Sequence, residues 1–134
     1  MTKEFNTASL PKATLHEHIE GTVTPEMAAK LAQRHHITLP DNFVMAEGQY
    51  DKNDFPNGRY AYDESDFWAF ISTYDNVADM MRTPQDYYDV TKDYLGKNAA
   101  EGGVYAELIL SPAHMAVEVN PETGKSELSA PRYH

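Results

Sequence analysis

The chain has 134 residues, 41% of them apolar, which is material for one compact domain of ordinary size. Its formal net charge of −10 argues against nucleic-acid binding through phosphates, which needs Lys and Arg in excess, and against an anionic membrane surface. No cysteine is present for disulfides, thiolate metal sites or thiol nucleophiles, no apolar run is long enough to span a membrane, and no apolar stretch follows Met1, so the expected location is cytoplasmic.

Residues 1–9 read as a polar lead-in closed by Leu10-Pro11. Residues 13–19 then read as a strand, flanked by Pro11 and Gly21. It carries His16 and His18, and side chains at i and i+2 of a strand share a face. Neutral imidazole is a common ligand of zinc and related metals, so a strand ending in His-x-His can set two nitrogen donors on one side of one ion. The site then needs further ligands from elsewhere. A bare His-x-His is more often a pair of structural histidines. Glu17, between the two, is expected on the opposite face.

Thr22 or Thr24 can cap a helix with Pro25 in its first turn and an apolar stripe at Met27, Ala28, Leu31 and Ala32. The stripe fades at His35-His36, which reads as a solvated helix end. Residues 41–62 hold Gly48, Asn53, Pro56, Asn57 and Gly58 and read as a long connection, either a surface insertion or a lid. From Asp63 the spacing of Phe67, Phe70, Ile71, Tyr74, Val77, Ala78 and Met81 predicts a helix with one apolar face.

Thr83-Pro84-Gln85-Asp86 starts another helix, with Thr83 as N-cap and Asp86 near the positive end of the dipole. That helix should turn Tyr87, Val90, Tyr94, Leu95 and Ala99 inward and end at Gly102-Gly103. Residues 104–110 form a near-continuous apolar run, as in a parallel strand covered on both faces, and Ser111-Pro112 stops it. Residues 115–119 and 126–129 suit a small hairpin around 120–124, and neither His114 nor His134 is expected to be a ligand. A helical crossover between two strands implies a parallel, right-handed pair. Two such strands alone leave edges and a face uncovered, so the order reads as the opening of a larger α/β architecture.

The run Leu10-Pro-Lys-Ala-x-Leu-His-x-His-x-x-Gly21-Thr22, followed by Pro25-Glu26, resembles the N-terminal signature of the adenosine deaminase family. The resemblance continues through Phe70-Ile-Ser-Thr-Tyr74, Thr83-Pro-Gln-Asp86 and Gly102-Gly-Val-Tyr-Ala-Glu107 to Ser111-Pro112, and so covers nearly all of the chain. It implies that residues 1–134 are the N-terminal part of a deaminase-like domain, the first two strands and intervening helices of a (β/α)8 TIM barrel. A complete barrel takes about 250 residues.

Family members hydrolyse the 6-amino group of a purine and release ammonia. By the resemblance, His16 and His18 are two ligands of a single Zn²⁺ at the mouth of the first strand, and His18, Glu20, Phe70 and Tyr74 stand on the substrate side. The family's third histidine, aspartate ligand, glutamate proton shuttle and final base come from later strands, and no His-Ala-Gly-Glu motif is found here. Glu17 is not the missing shuttle. Glu20 stands where adenosine deaminases usually carry a ribose-contacting aspartate, and glutamate there is seen in adenine deaminase-like members; a solvated carboxylate is the structural alternative. Phe70 and Tyr74 match the aromatic helix lining the substrate entrance, with core packing as the alternative, and Ile109 replaces an arginine common in the family.

The expectation is therefore a zinc-dependent purine deaminase acting on a small-molecule purine, adenosine first and adenine as the alternative. The chain would carry only the first metal motif, would be inactive alone and would need the C-terminal part of the barrel. Competing readings are a metal-dependent phosphoesterase, whose motif continues unlike Ile19-Glu20-Gly21, and a non-catalytic truncated or assembly module.

Overall fold

The computed structural model describes Thr7, residues 10–111 and the strand segments 117–119 and 126–128. Strand β1 (Lys12–His18) runs into a short 3-10 turn (Ile19–Thr22), followed by helices α1 (Pro25–Arg34), α2 (Phe67–Ala78) and α3 (Pro84–Ala100) and by strand β2 (Gly103–Ile109). β1 and β2 are parallel neighbours joined through the helices, as the element order implies. Strands β3 (Val117–Val119) and β4 (Ser126–Leu128) pair antiparallel, Val117 opposite Leu128, where the hairpin was expected. Its turn, His114 and His134 lie outside the described residues.

β1 departs from a regular strand. Thr14 faces Ala106 while Glu17 faces Leu108, so three steps along β1 match two along β2. The extra residue is accommodated at His16, whose φ of 63° lies in the left-handed region. That is a β-bulge, and it breaks the simple two-residue alternation. Ile19, expected to finish the strand, instead begins the 3-10 turn and is fully buried.

The helix starts follow from local chemistry. Thr24 caps α1 by accepting from the Met27 N–H at 3.3 Å, with Pro25 next in line. Met27, Ala28, Leu31 and Ala32 are all buried. α2 begins later than Asp63, because the Asp63 side chain is held by the Ser65 N–H and hydroxyl in the preceding turn, and Asp66 takes over as cap for Trp68 N–H at 2.9 Å. Thr83 and Asp86 form a reciprocal capping box at the start of α3.

Three expected burial patterns change. On α2 only Val77 and Ala78 are buried within the helix, while Phe67 is 65% and Phe70 42% exposed. On α3 Tyr87 and Val90 are buried but Tyr94 is only half-buried and Leu95 and Ala99 are exposed. On β2 Val104 is 73% and Tyr105 54% exposed, so the strand is not covered on both faces by the described residues. Among the described residues β1 is the only strand paired with β2, and none of them forms a layer that covers these faces.

The core gathers Ile19 and Val23 from the turn, the α1 stripe, Val77, Met80 and Met81 around the end of α2, and Tyr87 and Val90 from α3. The ends of the connection 41–62 pack on the core, while residues 46–49 and 51–57 lie exposed on the surface. Phe43 is buried, Val44 and Tyr60 form an antiparallel bridge, and Met45 N–H donates to Arg59 O at 2.9 Å.

A fully buried carboxylate ties α1 to α3. Asp86 Oδ2 accepts from the Thr83 N–H at 2.7 Å, the Thr83 hydroxyl at 2.8 Å and the Arg82 N–H at 3.0 Å, and meets His35 Nε2 at 2.8 Å. Its Oδ1 accepts from Arg34 Nη1 at 2.5 Å, and Arg34 also reaches Asp89. His35 is therefore not a solvated helix end: its side chain is 14% exposed and engaged, and only His36 is exposed. Burial pushes the Asp86 carboxyl up, but hydrogen bonds from Thr83, Arg34 and His35 outweigh it and hold the group below the ordinary carboxylate range.

A depressed folded value means that Asp86 contributes its full stabilisation above the unfolded value of about 4 and loses it as pH falls through the folded value. Asp86→Asn should cost about 1–3 kcal/mol at neutral pH, since the Arg82 and Thr83 N–H groups lose their buried charged acceptor. Urea unfolding from pH 7 downward should give the variant a flatter acid limb; superimposable limbs would contradict the assignment. A Cβ at Gly103 would stand 1.4 Å from Asn98 Oδ1, and Asn98 Nδ2 donates to Thr14 Oγ1 at 2.8 Å. Gly103→Ala should accordingly destabilise by roughly 1–3 kcal/mol through overpacking, read as a lowered urea midpoint with an unchanged slope.

Candidate active site

At the C-terminal ends of β1 and β2 lies a cavity of about 740 Å³, within the range of small-molecule sites. His16 and His18 line it with ring centroids 5.4 Å apart and planes tilted by 59°, and both residues are exposed rather than packed away. The His-x-His spacing does bring two imidazoles together. It does so beside a bulge, with His16 left-handed, and Glu17 borders the same cavity as its two neighbours. The register shift before Glu17 is the physical reason.

Two imidazoles bordering one cavity with ring centroids 5.4 Å apart are donors of the kind a divalent metal takes. Among the described residues, no cluster of three or more His, Asp or Glu side chains stands ready to complete such a site.

Glu20 follows in the 3-10 turn and is 1% exposed. Its Oε1 accepts from the Ser111 backbone N–H at 2.8 Å, just past β2, and its Oε2 accepts from the Tyr74 hydroxyl at 3.3 Å. A solvated carboxylate is thus not what the structure contains. Burial and then the nearby Glu20 charge raise the Tyr74 phenol above its usual value.

Phe70 and Tyr74 lie one helical turn apart on α2 and line the cavity wall. Phe70 stacks obliquely on Tyr62 at 5.8 Å between centroids, and half of its surface is open, so core packing does not account for it. All five sequence-predicted site residues, His16, His18, Glu20, Phe70 and Tyr74, therefore border one cavity.

Tyr60 and Tyr62 also line it, and sequence reasoning missed them. The Tyr60 hydroxyl donates to Val23 O at 2.8 Å, and burial raises its phenol far above the ordinary value. Their only sequence signal is an aromatic pair at strand spacing just before Asp63. The arrangement combines two exposed nitrogen donors, a buried carboxylate and aromatic walls, which suits a planar, largely apolar ring with polar edges.

Residues 11–128 match the family model described as adenosine deaminase. The chain is 37% identical over 102 residues to the adenine deaminase of Cupriavidus pinatubonensis, a match covering 76% of this chain and 26% of that protein. It is 39% identical over 108 residues to the adenine deaminase of Streptomyces coelicolor, covering 80% and 28% respectively. Among solved structures, the crystal structure of adenine deaminase from Arthrobacter aurescens superposes with a TM-score of 0.59 at 35% identity, over 78% of this chain and 28% of that one. The chain thus spans little more than a quarter of the length of the curated relatives it matches.

Proposed function

The chain belongs to the adenosine deaminase family, its parallel strands and helices being the N-terminal portion of a (β/α)8 barrel, and on that premise we propose that it supplies the first half of a zinc-dependent 6-aminopurine deaminase site. The observation carrying this is the cavity itself: His16 and His18 open into it beside Phe70 and Tyr74, at the C-terminal ends of the strands, where barrel enzymes do their chemistry. His16 and His18 would hold the metal. A bound divalent ion there supplies Lewis acidity and lowers the pKa of water to about 7. Phe70 and Tyr74 offer their rings to a purine face and keep water from one side of it.

The preferred substrate is the free base adenine, which reverses the order of the two substrates read from sequence. Glu20 is 1% exposed and already engaged by Ser111 and Tyr74, so it offers no open carboxylate to a ribose. The names of the relatives support the same choice. No helix among the described residues is long and apolar enough to cross a membrane, and the composition supports a cytoplasmic site of action on a small molecule, without nucleic acid.

Two histidines without further ligands bind zinc weakly. For residues 1–134, competition against a chromophoric chelator should give a zinc Kd on the order of micromolar or weaker, abolished by His16→Ala or His18→Ala. Tight stoichiometric zinc, or ammonia release from adenine or adenosine by this chain alone, would contradict the half-site reading. Adenine should shift the Phe70 and Tyr74 ring resonances more than adenosine does at equal concentration. The opposite order would restore the nucleoside as substrate.

A further inference from the structure

Glu20 sits at a junction of three elements. The 3-10 turn that carries it follows directly on the strand bearing His16 and His18, its Oε1 takes the backbone N–H of Ser111 beyond β2, and its Oε2 takes the hydroxyl of Tyr74 on α2. The carboxylate is 1% exposed, so these are contacts made away from water, where a hydrogen bond to a charged acceptor is stronger and its loss more costly. Beside it, the Tyr74 ring passes close to Gly21: a Cβ there would lie 3.6 Å from Tyr74 Cε2, an ordinary van der Waals distance. Both side chains border the cavity, but only the Tyr74 ring has surface left to meet a ligand, being half-buried.

We propose that Glu20 is a positioning residue, whose carboxylate holds the Tyr74 ring as a ligand-facing wall of the cavity and locks the end of β2 to the turn that follows β1. Tyr74 is then oriented from behind through its hydroxyl, which meets both Glu20 and the Ser111 side chain, while the Ser111 backbone N–H is held by Glu20. The inference deepens the deaminase reading, because the wall so fixed is the one assigned to the purine. Its geometry makes distinct demands on substitutions. Glutamine keeps an oxygen for Ser111 N–H and an amide that can meet the Tyr74 oxygen. Aspartate is one methylene too short to span both partners, and alanine reaches neither.

The experiment is NMR on residues 1–134 with Glu20→Gln, Glu20→Asp, Glu20→Ala and Tyr74→Phe. In the parent chain Tyr74 ring protons should show cross-relaxation to Gly21, and the Ser111 amide should exchange slowly. Glu20→Ala and Glu20→Asp should lose the ring contacts and speed Ser111 exchange about tenfold or more. Glu20→Gln should restore both, which a generic loss of packing would not do. Tyr74→Phe removes the hydroxyl's contacts with Glu20 and with the Ser111 side chain and should free the ring, while the Ser111 N–H keeps its Glu20 acceptor and stays protected. Should the alanine variant fail to fold, the aspartate and glutamine pair carries the comparison.

Unchanged Tyr74–Gly21 contacts and Ser111 exchange in Glu20→Asp would overturn the proposal. So would loss of both in Glu20→Gln with a folded α1–α3 core. Adenine added to the parent chain is read separately: an absence of ring shifts at Phe70 and Tyr74 counts against the deaminase reading, whereas the Glu20 variants report on the clamp without any ligand.

Discussion

The hydrogen-bonded burial of Asp86 is the constraint on which the helical part of the molecule depends. A carboxylate removed from water is tolerable only with several donors around it, and here the donors come from the end of α1 and from the turn that starts α3. That requirement fixes how α1 and α3 meet. Leu31, Ala32, Tyr87 and Val90 can then close over one another and over Ile19, which belongs to the turn leaving β1. The apolar core supplies the bulk of the driving force, and the donors gathered on Asp86 restrict how the end of α1 and the start of α3 can meet.

A second buried carboxylate, Glu20, plays the corresponding part at the other end of the structure. Its position is set by the core, since its neighbour Ile19 is fully buried among the helices. From there it reaches both α2 and the end of β2. The bulge at His16 belongs to the same local design. Placing a non-glycine residue at φ 63° is unfavourable by itself, and such conformations persist where surrounding structure over-determines them, often beside functional sites. The result is a mouth where two imidazoles, an acid and aromatic rings converge from segments as far apart as residues 16 and 111.

Much of this was legible along the chain where the cause is local. The Thr24 and Thr83 caps, the prolines after them and the apolar stripe of α1 act within a turn or two, so residue order suffices to read them. The His-x-His spacing and the family pattern around it likewise lie in contiguous residues. Features that depend on a partner far away in sequence were misread. His35 looks solvated until Asp86 arrives from 51 residues further on. Segment 41–62 looks irregular until Phe43 enters the core and Val44 pairs with Tyr60. The apolar faces of α2 and β2 were read as buried because periodicity reports which residues could be covered, not whether a neighbouring layer covers them.

By itself, then, the sequence determined the order of the main elements, the starts of α1 and α3, the parallel crossover and the family, because these follow from capping chemistry, periodicity and contiguous motifs. Tertiary structure decided the bulge that sets His16 and His18 side by side, the burial of Glu20 between Ser111 and Tyr74, and the entry of Tyr60 and Tyr62 into the cavity wall. The reason is physical. A side chain's role in a site depends on which donors and surfaces reach it from distant segments, and residue order constrains that only through the packing of the whole.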